Sequence, residues 1–198
     1  MNTSEKTPSF SIIVAVRDQA EALQSYLTAL AAQQYADFQI VVVDESSTDN
    51  TSDLLSNLRE NNPRLYSTFV PQYHFQRNLR RLALTIGMKA AKGEWVVFAD
   101  VDGFQPSQTW LSELSKFAVS PHQLLLGYVR HKTGDVQLKP FDDLRKAQSL
   151  IAKTEQRRLS GGGRLFGILH HDYDFLVVRH DLGHELLRLF ESTKQHRL

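Results

Sequence analysis

The chain has 198 residues, of which 41% are hydrophobic and 23% charged, with a formal net charge of +1. That composition suits one globular domain with a real core and gives no general nucleic-acid or membrane signal. The absence of cysteine excludes disulfides, thiolate zinc sites and cysteine nucleophiles, and no apolar run approaches the roughly 20 residues needed to span a bilayer.

The N-terminal MNTSEKTPSF lacks an apolar signal core, so residues 1–8 read as a loose polar tail. Residues 10–16, FSIIVAV, form a short apolar run rich in β-branched residues, the pattern of a strand buried on both faces of a parallel sheet. From Asp18 the period changes: Ala22, Leu23, Tyr26, Leu27 and Leu30 fall on one helical face. A second buried strand, FQIVVV at 38–43, runs into Asp44. Asp49 or Thr51 can cap the next helix, which shows Leu54, Leu55 and Leu58 and is stopped by Asn61-Asn62-Pro63. A third strand is expected at 65–70 and a third helix on Leu79, Leu82, Ala83, Ile86 and Ala90, with Gly93 as its stop. WVVFAD (95–100) is a further strand, and 108–118 a helix carrying Trp110, Leu111, Leu114 and Phe117. Beyond it, 124–129 and 174–179 read as strands, 141–159 as a polar helix, Gly161–Gly163 as a flexible loop and 181–191 as a helix. The β-α alternation of the first 120 residues predicts a single α/β domain, a Rossmann-like, doubly wound and mostly parallel sheet with right-handed crossovers.

In such a sheet ligands bind outside the carboxyl ends of the strands. Asp44 and the pair Asp100 and Asp102 stand at two such ends. Two carboxylates two residues apart can face one side, and oxygen ligands with room for water suit Mg²⁺ or Mn²⁺ bridged to a diphosphate. The same Asp-x-Asp also suits an ordinary turn before Gly103. Arg77, Arg80 and Arg81, and further on Arg157, Arg158 and Arg164, could receive phosphate or simply form a solvated face. No glycine-rich loop follows the first strand, which argues against a dehydrogenase or a nucleotidyltransferase.

The segments FSIIVAVRDQAEALQSYLTALAAQQYADFQIVVVDESSTDNT and RRLALTIGMKAAKGEWVVFADVDG together resemble the family 2 glycosyltransferases, inverting enzymes of the GT-A fold. Residues 33–38 (QQYADF), 44–49 (DESSTD) and 90–102 carry the resemblance most closely. It covers 9–118 strongly and 119–190 faintly, so that 9–118 reads as the nucleotide-sugar-binding half and 119–198 as part of an acceptor half. The resemblance implies a metal-dependent glycosyltransferase using a nucleotide-diphosphate sugar, with UDP as the expected nucleotide. The acceptor would be a hydroxyl of a glycan, polysaccharide or lipid-linked saccharide. The expected location is the cytoplasm, with peripheral attachment to the inner face of a membrane, or to a protein partner, left open. Ala15, Val16 and Arg17 would border the base and Asp44 would hydrogen-bond it. Asp100 would contact the ribose or the metal, Asp102 the metal and diphosphate, and Arg80 and Arg81 the diphosphate.

The chain also departs from the family pattern. Glu45 stands where a second aspartate is usual, keeping the charge with a longer reach, and Gly103 where many relatives have a third. Inverting transfer needs a general base for the acceptor hydroxyl, and the family's acidic pair after the Asp-x-Asp is not visible before Leu198. Asp172 and Asp174, beside His170 and His171 in HHDYD, are the remaining candidates for the base, with His171 a candidate further metal ligand. A non-catalytic nucleotide-sugar-binding or partner protein is the alternative expectation.

Overall fold

A computed structural model describes residues 7–71, 79–129, 135–147, 149 and 174–192. In chain order the elements are β1 (Phe10–Val16), α1 (Ala20–Ala31), β2 (Phe38–Asp44), α2 (Thr51–Asn61), β3 (Leu65–Phe69), α3 (Leu79–Ala90), β4 (Trp95–Ala99) and α4 (Trp110–Ser115). They are followed by β5 (Leu124–Val129), β6 (Val136–Phe141), β7 (Phe175–Arg179) and α5 (His180–Ser192). All seven strands form one sheet in the order β3-β2-β1-β4-β7-β5-β6. β1 pairs in parallel with β2 and β4, and β3 in parallel with β2. β7 is antiparallel to both β4 and β5, and β6 antiparallel to β5. β1 to β5 therefore share one direction and β6 and β7 oppose it, so the mostly parallel sheet has an antiparallel far side.

The continuous apolar character of β1 follows from its central place, since all seven of its residues are buried. Phe10, Ile12, Val14 and Val16 pack on the face covered by α1 and α4, with Leu23, Tyr26, Leu27, Leu30, Trp110 and Leu114. Ile13 and Ala15 pack on the other, against Ala83, Leu84 and Met88 of α3 and Leu186 and Leu187 of α5. Two close approaches need glycine. A Cβ at Gly87 would lie 2.5 Å from Ile13 Cγ2, so its absence lets α3 rest on β1. A Cβ at Gly93 would lie 2.5 Å from the Phe10 carbonyl carbon and 2.6 Å from Ser11 N. Ser11 Oγ accepts from the Gly93 N–H (2.8 Å) and the Lys92 N–H (3.0 Å), fastening the turn before β4 to β1.

Three features differ from the sequence expectation. β6 has no counterpart in it: Val136 and Leu138 pack on the core while Gln137, Lys139 and Pro140 are exposed or nearly so. A proline and alternating polar residues suit an edge strand, whose pairing to β5 is supplied by tertiary structure. The helix expected from 141 has its first described helical residues at 144–147, after β6 ends, and 150–159 lie outside the described residues. α4 is shorter than 108–118, and Phe117, expected on its apolar face, is 37% exposed. No helix among the described residues is long and apolar enough to cross a membrane.

Candidate functional site

Strand register brings the acidic residues together. Val16 of β1 pairs with Asp44 of β2, and Val14 with Ala99 of β4, so Ala15, Glu45 and Asp100 stand at neighbouring levels of one sheet end. Asp44, Glu45 and Asp100 are all buried. Asp44 Oδ1 accepts from the Ser47 N–H (2.9 Å) and hydroxyl (2.5 Å), which fixes the carboxylate. Its other oxygen takes no hydrogen bond from a described residue.

The two loops leaving β1 and β2 are laced to one another. Asp18 Oδ1 accepts from the Thr48 N–H (2.6 Å) and hydroxyl (3.1 Å), and the Asp18 N–H donates to Ser47 Oγ (2.9 Å). Asp49 serves the starts of two helices: Oδ2 accepts from Ala20 N of α1 (3.1 Å), and Oδ1 from Thr51 N (3.0 Å) and Oγ1 of α2. The N-cap of α2 is Asn50, with no side-chain cap bond, rather than the expected Asp49 or Thr51; Asp49 instead serves the first helical residue from one position before the cap. Hydrogen bonds from Thr48 hold the Asp18 carboxyl below the usual range, and those from Thr51 do the same for Asp49. Asp18 (φ 52°) and Ser46 (φ 62°) adopt the left-handed region, which costs conformational energy for residues with a side chain. Both sit at the sheet end where the carboxylates gather.

The segment Asp100–Gly103 is a turn closed by the Gly103 N–H on the Asp100 carbonyl (3.2 Å). Its position is set from below by Val101, which is buried in the core, and by Phe104, whose ring meets those of Tyr26, Trp110 and Phe175. Asp100 Oδ2 accepts from Arg80 Nη2 (2.7 Å), and Oδ1 faces the Asp102 N–H at 3.4 Å. Asp102 is exposed, and its Oδ2 accepts from Gln19 Nε2 at the start of α1. Burial pushes the Tyr26 phenol far above its ordinary value, with the Asp100 carboxylate adding to the effect. Burial also pushes the Glu45 carboxyl up, against the pull of Arg80.

The residues expected from the sequence fall as follows. Ala15 and Val16 are buried at the end of β1, and Arg17 is exposed with Nε 3.7 Å from Asp18 Oδ2. Arg80 reaches inward to Ala15, Glu45 and Asp100, whereas Arg81 lies on the exposed side of α3. Asp174 is brought to the turn, because β7 pairs Phe175 with Ala99; its carbonyl oxygen would lie 3.3 Å from a Cβ at Gly103. Its carboxylate Oδ2 accepts from the Val129 N–H (2.6 Å). Asp172, His170, His171, Gly161–Gly163, Arg77, Arg157, Arg158 and Arg164 lie outside the described residues. Gln19 and Asp18 join the site without having been expected there, and they carry the signal of polar residues directly after a buried strand.

No group of three or more histidine, aspartate or glutamate side chains among the described residues could hold a metal. Asp100 and Asp102 are a two-carboxylate oxygen set in one turn. That set fits Mg²⁺ or Mn²⁺, which commonly take one or two carboxylates and complete their shell with water and substrate phosphate. A cavity of about 510 Å³ bordered by Phe10, Phe38, Arg64, Tyr66 and Lys92 lies at the opposite end of the sheet and belongs to a different surface.

The model of glycosyl transferase family 2 matches residues 11–173. An uncharacterised glycosyltransferase of Nostoc sp. is 34% identical over 93 residues, which are 46% of this chain and 27% of the relative. The mannosyltransferase PcManGT of Pyrobaculum calidifontis, solved with GDP-Man and Mn²⁺, superposes with a TM-score of 0.62 at 22% identity. That match covers 92% of this chain and 47% of the other. TarS residues 1–349 of S. aureus, solved with UDP-GlcNAc, gives a TM-score of 0.51 at 26% identity, covering 62% of this chain and 34% of TarS. The chain thus spans about a quarter to a half of the length of these relatives. With the sheet, the strand-end carboxylates and a family match over most of its length, the chain belongs to glycosyl transferase family 2 and has the GT-A fold.

Proposed function

We propose that the chain binds a nucleotide-diphosphate sugar, with UDP as the first nucleotide to test, and transfers the sugar to a hydroxyl of a glycan, polysaccharide or lipid-linked acceptor. The observation that carries this is the convergence of Asp44, Asp100 and Asp102 at one sheet end, where Ser47 donates to Asp44, Arg80 to Asp100 and Gln19 to Asp102. Asp44 has an oxygen turned to no described donor and suits an N–H of the base. Asp100, buried beside the turn, and Asp102, exposed at its rim, would hold Mn²⁺ or Mg²⁺. When bound, the ion would act as a Lewis acid on the leaving diphosphate. The relatives solved with GDP-Man and Mn²⁺, and with UDP-GlcNAc, support this reading.

The acceptor hydroxyl needs a base. Of the two aspartates expected for it, Asp174 lies beside the turn, with one oxygen already accepting from Val129 N–H. In this reading the protein works in the cytoplasm, where nucleotide sugars are supplied. Calorimetric titration of UDP, UDP-sugars and GDP-mannose with and without Mn²⁺ tests the donor site. Binding should require the metal and be lost in Asp102→Asn. An unchanged metal-dependent affinity in that variant would refute the assignment.

A further inference from the structure

Arg80 stands in the first turn of α3, and its guanidinium reaches over the ends of three strands. Nη1 donates to the Ala15 carbonyl of β1 and to Glu45 Oε1 (3.0 Å), the residue after β2. Nη2 donates to Asp100 Oδ2 (2.7 Å), the residue after β4. The Glu45 and Asp100 side chains are 8% and 7% exposed, and that of Arg80 is 24% exposed. Two carboxylates withdrawn from water on either side of one strand require a cation between them. A planar guanidinium can donate in several fixed directions at once, which an ammonium on a flexible stem does not reproduce. With Oδ2 turned to Arg80, Asp100 presents Oδ1 toward the Asp102 turn. Glu45 matters through its length, since an aspartate there would carry its carboxylate on a side chain one methylene shorter.

We propose that Arg80, braced by Glu45 and the Ala15 carbonyl, is a positioning residue that orients Asp100 and thereby sets the affinity of the donor site for its divalent cation without touching it. This rests on the reading that Asp100 and Asp102 hold the cation, and the controls separate the two ideas. The experiment measures Mn²⁺ binding in the presence of UDP from the electron paramagnetic resonance signal of unbound Mn²⁺. It is run at low temperature on the folded wild type, Arg80→Lys, Glu45→Asp and Asp100→Asn, with thermal melts alongside.

Arg80→Lys should lower the Mn²⁺ affinity at least tenfold, and Glu45→Asp, which retains every charge, about threefold or more. Asp100→Asn should abolish binding. Wild-type affinity in Arg80→Lys and Glu45→Asp, with binding lost in Asp100→Asn, overturns the positioning role and leaves the donor site standing. It does so whether or not the melting temperatures fall, because a merely structural brace would change stability alone. Wild-type affinity in Asp100→Asn overturns the donor-site reading and this proposal with it. If Arg80→Lys fails to fold, Glu45→Asp carries the test.

Discussion

Gly93→Ala should be among the most damaging small substitutions in the molecule. The added methyl would sit 2.5 Å from the Phe10 carbonyl carbon, 2.6 Å from Ser11 N and 2.9 Å from Phe10 Cα, all backbone atoms of β1. No side chain can swing away, so the turn and the strand must part by about 0.5 Å to reach the 3.0 Å that real Cβ contacts respect. β1 is paired on both sides, to β2 and β4, and resists that shift. Overpacking of this kind costs about 1–3 kcal/mol. Weakening the Lys92 and Gly93 hydrogen bonds to Ser11 Oγ adds about 1 kcal/mol apiece. A total of about 3–5 kcal/mol is expected, a fall in Tm of about 6–20 °C for a domain of this size. Gly103→Ala is the internal control, because its methyl would meet nothing nearer than carbonyl oxygens at 3.3 and 3.4 Å, and it should cost less than about 1 kcal/mol. Urea unfolding of both variants measures the difference. A Gly93→Ala midpoint within experimental error of the wild type, at unchanged m-value, would refute the packing argument.

Asp18 and Asp49 are held below their ordinary 3.8 by hydrogen bonds made in the folded state, so their contribution is present above that value and lost as pH falls through the lower folded values. The melting temperature should decline as the buffer is taken below pH 4, and Asp49→Asn should flatten that decline; an equally steep profile in the variant would count against it. Asp174→Ala should destabilise the fold by about 1–2 kcal/mol, because the part-buried Val129 N–H then loses its acceptor. Asp174→Asn, which keeps an acceptor, should cost less, and equal losses in urea unfolding would show that the hydrogen bond is not the cause. If Asp174 is the base, the asparagine variant should also lose at least a hundredfold in transfer at undiminished UDP affinity.

Much of the frame is legible in the residue pattern for a simple reason. Strands buried on both faces must be apolar throughout, as FSIIVAV and WVVFA are, and helices lying on a sheet must repeat their apolar residues on one face. Asp44 and Asp100 stand out because each is a charged group that ends an otherwise apolar strand. β6 is hidden because VQLKPF has the character of an edge, and edges take their conformation from the neighbour they pair with. α4 reads too long because Phe117 continues the apolar period although its ring stays partly in solvent.

The sequence by itself determined the alternating order of elements through residue 120, the sheet end at which the strand-end carboxylates collect, and the family. Those properties depend on local periodicity and on residues close together in the chain. Only the tertiary structure decided what each polar group touches. The family resemblance implies a diphosphate contact for Arg80; the fold adds that its guanidinium bridges residues 65, 35 and 20 positions away. Gln19 meets Asp102 across 83 residues, and Asp49 joins the starts of two helices. Such partnerships follow from strand order and register, which bring the ends of β1, β2 and β4 side by side, and no spacing along the chain encodes them.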